Sequence, residues 1–148
     1  MTLSAGDSKN PGINMSMGYG SSCQKFLEDD EFIIYEYFCY DWSDPRFSNR
    51  EKIFDGFITI RKAALIEPET REKFRRLPNG RRKKFIKKIW VDVPLEELLA
   101  AGDVQIENCS HTWKTFDGID IMAYRLCQGI FLRYQKEGSL PERYGCHT

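Results

Sequence analysis

Hydrophobic positions fall into blocks of different period along this chain. Residues 32–42 (FIIYEYFCYDW) hold six aromatics, Phe32, Tyr35, Tyr37, Phe38, Tyr40 and Trp42. Aromatic and β-branched enrichment with apolar groups on both alternating faces predicts a central strand covered on both sides. Asp44-Pro45 then marks a loop. Ile53-Phe54 and Phe57-Ile58-Thr59-Ile60 flank Asp55-Gly56, a dipeptide that tolerates positive φ, so a hairpin is expected there. Residues 67–76 (EPETREKFRR) read as a brief helix, with Pro68 in the first turn and acids early. Pro78-Asn79-Gly80 ends it.

Residues 81–93 (RRKKFIKKIWVDV) carry two patterns at once. Phe85, Ile86, Ile89 and Trp90 have helical spacing, whereas Ile89, Val91 and Val93 alternate as in a strand. β-Branched residues dominate the second half and Asn79-Gly80 favours a reversal, so the strand reading over 84–93 is preferred. Residues 94–102 (PLEELLAAG) form a short helix, with proline at its start, glutamates against the N-terminal dipole and glycine at its end. Alternation over 103–108 predicts another strand. The clearest element is a helix over 119–136, where Ile119, Met122, Ala123, Leu126, Ile130 and Tyr134 recur at i, i+3, i+4 spacing. Asp117 and Asp120 sit where acids stabilise its start, and Gly138 and Pro141 follow its end.

The fold class expected from these elements is α+β: a mostly antiparallel sheet, a short helix near 94–101, and a long C-terminal amphipathic helix packed on one face. Residues 1–22, rich in Gly and Ser with little to bury, read as a flexible N-terminal tail, and Met15 and Met17 as alternative starts. Residues 23–148 then form a single domain. A chain of 148 residues with 41% hydrophobic and 14% aromatic content has enough apolar surface for one core. No apolar run approaches membrane-spanning length, and the N-terminus lacks the basic and apolar regions of a secretory signal, so a cytoplasmic location is expected. Five cysteines without C-x-x-C spacing read as reduced thiols, mostly buried.

Charge changes this picture. The net charge is zero, yet residues 71–88 hold ten Lys and Arg against one acid, Glu72, so this segment carries +9 and the remainder −9. Part of that negative charge is concentrated in Glu28, Asp29, Asp30 and Glu31. Such asymmetry speaks about partners. Ten cations with Phe74, Phe85 and Trp90 among or beside them suit phosphates and unpaired bases. The opposing considerations are that Phe85 and Trp90 suit a core, and that the basic segment could dock on the acidic run of the same chain.

Other chemistry finds less support. Cys109-Ser110-His111 places a thiol near an imidazole, but no third orienting group can be named. Cys109, His111, Cys146 and His147 lack structural zinc spacing. Asp92, Glu107, Asp117 and Asp120 lack the neighbouring lysine of a metal-dependent nuclease, and capping accounts for the last two. Phosphate-binding glycine motifs are missing. No catalytic residue, cofactor or metal ligand is therefore assigned. The expectation is a non-catalytic binding module that contacts a polyanion, foremost nucleic acid, through Arg75, Arg76, Arg81, Arg82, Lys83, Lys84, Lys87 and Lys88. The alternative is an inhibitor or immunity-type factor that pairs the same surface with an acidic protein. A Cys/His-dependent enzyme is the remote third reading.

Overall fold

The structure, a computed structural model, describes residues 18–110 and 118–147. Seven strands and two helices follow one another as β1 (Tyr19–Glu28), β2 (Phe32–Asp41), β3 (Gly56–Arg61), β4 (Glu69–Arg76), β5 (Arg82–Ile89), α1 (Leu95–Ala101), β6 (Val104–Glu107), α2 (Ile121–Glu137) and β7 (Arg143–His147). Five of the strands form one antiparallel sheet in the order β6-β3-β2-β1-β7, and β4 with β5 forms a separate two-stranded ribbon. The architecture is α+β, with the long C-terminal helix on one face of the sheet.

β1 and β2 are joined by a tight reversal at the acidic run. Asp29 accepts hydrogen bonds from the backbone N–H of Glu31 and of Phe32, both at 2.8 Å, and so builds the turn itself. The cluster of acids is a solvated turn with a structural use. β2 is the central strand, as its aromatic content predicts. Its inward residues Ile33, Tyr35, Tyr37 and Cys39 pack with Cys23, Ile58, Ile60 and Val104 against Met122, Ala123, Leu126, Cys127, Ile130 and Phe131 of α2. The other face of β2 is covered by no element among the described residues. Its aromatic groups shield one another instead, with Phe38 against Phe54 at 4.7 Å and Tyr40 stacked on Trp42 at 4.9 Å between ring centroids.

Four expectations are corrected. First, Asp55-Gly56 is not a hairpin turn: β3 begins at Gly56 and pairs with β2 and β6. A Cβ at Gly56 would lie 2.4 Å from the Tyr37 ring, so the glycine serves close approach to an aromatic. Second, residues 69–76 are strand, not helix. A short helix with no apolar stripe would be marginal, and the ladder to β5 satisfies the backbone instead. Third, Tyr19–Ser22 belongs to β1, so the strand begins inside the expected tail. Fourth, among the described residues β2 is covered by a helix on one face and not on both, and the sheet extends sideways instead, β7 pairing with β1 from Gly20↔His147 to Gln24↔Arg143. β1 and β7 are rich in Ser, Gly and charge, and only their neighbours make them strands.

Candidate nucleic-acid interface

The basic segment forms the ribbon β4–β5, and every residue of its two strands is exposed except Ile89, which is half-buried. Its tip is a three-residue loop. Gly80 N–H donates to Leu77 O at 2.9 Å, Leu77 N–H donates to Arg81 O at 2.7 Å, and Gly80 takes φ 84°. This is a type I turn closed by a left-handed residue, which Asn79-Gly80 supplies.

Pairing register sorts the side chains into two faces. Arg71↔Lys87, Lys73↔Phe85 and Arg75↔Lys83 lie on one face. It carries five cations around one aromatic ring, and Glu69 at its base is the only acid on the strand positions of that face. Thr70↔Lys88, Glu72↔Ile86, Phe74↔Lys84 and Arg76↔Arg82 lie on the other. There Lys84 pairs with Glu72 at 2.8 Å and the Arg82 guanidinium sits 5.1 Å from the Phe74 ring centroid. The first is the cationic face, with five cations and no ion pair among the described residues; the second is the mixed face, with four cations, one of them paired with Glu72. Of the eight residues expected at the interface, Arg75, Lys83 and Lys87 share the cationic face, while Arg76, Arg82, Lys84 and Lys88 share the mixed one and Arg81 closes the turn. Arg71 and Lys73 complete the cationic face; the helical reading of 67–76 hid them, although their i, i+2, i+4 spacing with Arg75 is the strand signal.

Phe85 and Trp90 are not core residues: they are 39% and 45% exposed, and Phe74 and Ile86 are 56% and 64% exposed. A two-stranded ribbon has no interior, so its apolar groups stay in water unless a partner covers them.

Both roots of the ribbon are fastened to the end of α2. Buried Gln135 receives Val91 N–H at 2.8 Å and donates to Val91 O at 2.7 Å, replacing a strand partner just beyond β5. On the other root, Tyr134 Oη donates to Glu67 at 3.0 Å. Lys136 Nζ lies 5.9 Å from the Trp90 ring centroid. The ribbon therefore projects from a fixed base.

The acidic turn is served by other cations. Glu28 pairs with Lys25 at 3.1 Å and with Lys62 at 2.6 Å, and Arg61 bridges Glu31 and Asp103. Lys62 and Lys25 hold the Glu28 carboxyl below its usual range. Among the described residues, the ribbon's ion pair is the internal one between Lys84 and Glu72.

Elsewhere, Cys39, Cys109 and Asp120 are buried with their donor atoms within 4.8 Å of one another. Among the described residues these three are one short of a tetrahedral zinc set, and Asp120 is already engaged. It caps α2 by accepting from Met122 N–H at 2.9 Å and receives the Tyr37 hydroxyl at 2.7 Å. Cys39 and Cys109 direct their thiols at the same carboxylate oxygen. A hydrogen bond with Cys109, burial and the Asp120 charge all push the Cys39 thiol upward. The cluster is a buried carboxylate satisfied by four donors, and the Cys39 thiol stays protonated. His111 and Asp117 lie outside the described residues. No helix among the described residues is long and apolar enough to cross a membrane.

Comparison of the chain with protein-family models, with curated proteins and with solved structures gives no match.

Proposed function

We propose that this chain is a non-catalytic binding module that contacts duplex nucleic acid through the cationic face of the β4–β5 ribbon. Arg71, Lys73, Arg75, Lys83 and Lys87 take the phosphates. The observation that carries this reading is the clustering of those five on one exposed face with no ion-pair partner among the described residues, while the acidic turn draws on Lys25, Arg61 and Lys62. Eight residues of strand extend about 26 Å, and the major groove of B-form DNA is wide enough for a two-stranded ribbon. The acidic remainder of the chain disfavours contact elsewhere and orients the ribbon toward a polyanion.

Fluorescence anisotropy with a random-sequence DNA duplex tests the reading. Five neutralised phosphates predict a slope of about −4.5 in log K against log salt. Changing Arg71, Lys73, Arg75, Lys83 and Lys87 together to Ser should abolish most of that slope. Changing Arg76, Arg82, Lys84 and Lys88 to Ser should leave the larger part of it. Lack of binding at low salt would end the proposal. The exposed Phe74 and Ile86 on the mixed face support a second reading, an acidic protein partner of the inhibitor or immunity kind. Co-purification with one defined protein, lost only when the mixed face is altered, is the outcome that would favour it.

A further inference from the structure

A second candidate site lies on the open face of the five-stranded sheet. A cleft of about 310 Å³ is lined by Ser22, Phe38, Tyr40, Trp42, Asn49, Arg50 and Lys52. Its origin is a size mismatch between neighbouring strands. β1 presents Gly20 and Ser22 opposite Tyr40 and Phe38 of β2. A Cβ at Gly20 would meet the Cys146 backbone oxygen at 2.5 Å and the Tyr40 hydroxyl at 2.7 Å, so the missing side chain lets β7 approach and that ring lie across β1. Tyr40 and Trp42 then stack with an interplanar angle of 28°, and Trp42 remains 54% exposed. The floor of the cleft is a stacked pair of rings, of which Trp42 keeps about half of its surface exposed.

The cationic wall is held in place by Asn49. This buried side chain donates to Cys39 O at 3.0 Å and accepts from Ile53 N–H at 3.0 Å, pinning the loop to the end of β2. Lys52 N–H donates to Asn49 O at 2.9 Å, closing a turn around Arg50 and Glu51. Asn49 and Lys52 both take positive φ, 43° and 54°, an uncommon backbone state for lysine above all. The turn presents Arg50 and Lys52 beside the rings, while Glu51 is outside the lining, which contains no carboxylate.

We infer that this cleft binds a nucleobase together with its phosphate. The base stacks on Trp42 and Tyr40, and Arg50 and Lys52 take the phosphate. A planar aromatic group suits the stacked rings, an anion suits two cations without a carboxylate, and a volume near the lower end for small-molecule sites suits one nucleotide. A free mononucleotide and an unpaired base of a strand share this chemistry. The inference does not depend on the ribbon.

The test is titration of the isotopically labelled chain with adenosine 5′-monophosphate, with ribose 5-phosphate, and with a single-stranded deoxythymidine decamer, followed by NMR. The expected result is saturable shifts confined to the Trp42 indole N–H and the 49–52 turn. The nucleotide should bind at least about tenfold more tightly than ribose 5-phosphate. Trp42→Ala should remove that difference, and Arg50→Gln with Lys52→Gln should weaken both ligands. Shifts from the decamer with none from the mononucleotide would assign the site to an unpaired base of a strand. Ser at Arg71, Lys73, Arg75, Lys83 and Lys87 should leave mononucleotide binding unchanged. Equal binding of ribose 5-phosphate, or no localised shift with either nucleotide or decamer, overturns the inference.

Discussion

Asp120 is a carboxylate without solvent access, and its surroundings show how one residue can organise a core. It caps α2, takes the Tyr37 hydroxyl, and lies against the thiols of Cys39 and Cys109. Tyr37 in turn accepts Cys109 N–H at 3.1 Å, so β2, the segment after β6 and the start of α2 meet at one point. The alkaline behaviour follows. Burial raises the Cys23 thiol from 9.0 to about 12, and burial also drives Cys127, Tyr35 and Tyr37 upward. In the unfolded chain these groups lose protons near their ordinary values, whereas in the fold they retain them. Stability is therefore fully present below about pH 9 and falls as pH rises toward 12. Unfolding free energies from urea titrations at pH 8, 10 and 11 should decline by at least about 1.4 kcal/mol per unit in the last interval, the slope of one such thiol. A flat profile would contradict the buried, protonated state. A smaller residue effect concerns Ser21, whose buried hydroxyl has no hydrogen-bond partner among the described residues. Ser21→Ala should raise the thermal midpoint, or leave it unchanged, because it removes an unsatisfied polar group.

Gln135 acts on an element rather than on a site. It supplies both the acceptor and the donor that Val91 needs beyond the end of β5. Gln135→Leu should cost about 1–3 kcal/mol in urea unfolding and speed hydrogen exchange at the Val91 amide. The cross-strand amides of β4 and β5 should keep their protection, because their ladder does not involve α2. What the sequence made legible follows from where each element draws its stability. α1, α2 and β2 carry strong local signals, in end residues, a periodic stripe and an aromatic run, and the structure has them near the expected bounds. β1 and β7 were not legible, because their pairing comes from partners far along the chain and their residues carry no period; β4 showed only the alternate cations Arg71, Lys73 and Arg75. The candidate interface was visible as charge, but its division into faces needed the register, which depends on the Leu77–Arg81 closure. The sheet cleft had no signal in local sequence, because Gly20, Tyr40 and Lys52 meet only after β1 and β2 pair.

Strand order in the main sheet has a consequence for the integrity of the chain as one polypeptide. The three inner strands β3, β2 and β1 all precede the ribbon, whereas the two edge strands β6 and β7 and the covering helix α2 all follow it. The second half of the sequence thus clasps the first from both sides. The ribbon, exposed and dense in Lys and Arg, is the seam between them. Brief trypsin treatment should cut first within residues 71–88, and the two products should co-elute as one species and separate only in denaturant. Dissociation on cutting would mean that the covalent link holds the halves together. If they stay joined, the two pieces can be made as separate polypeptides and left to reassemble, with reconstitution of the sheet as the readout of their meeting.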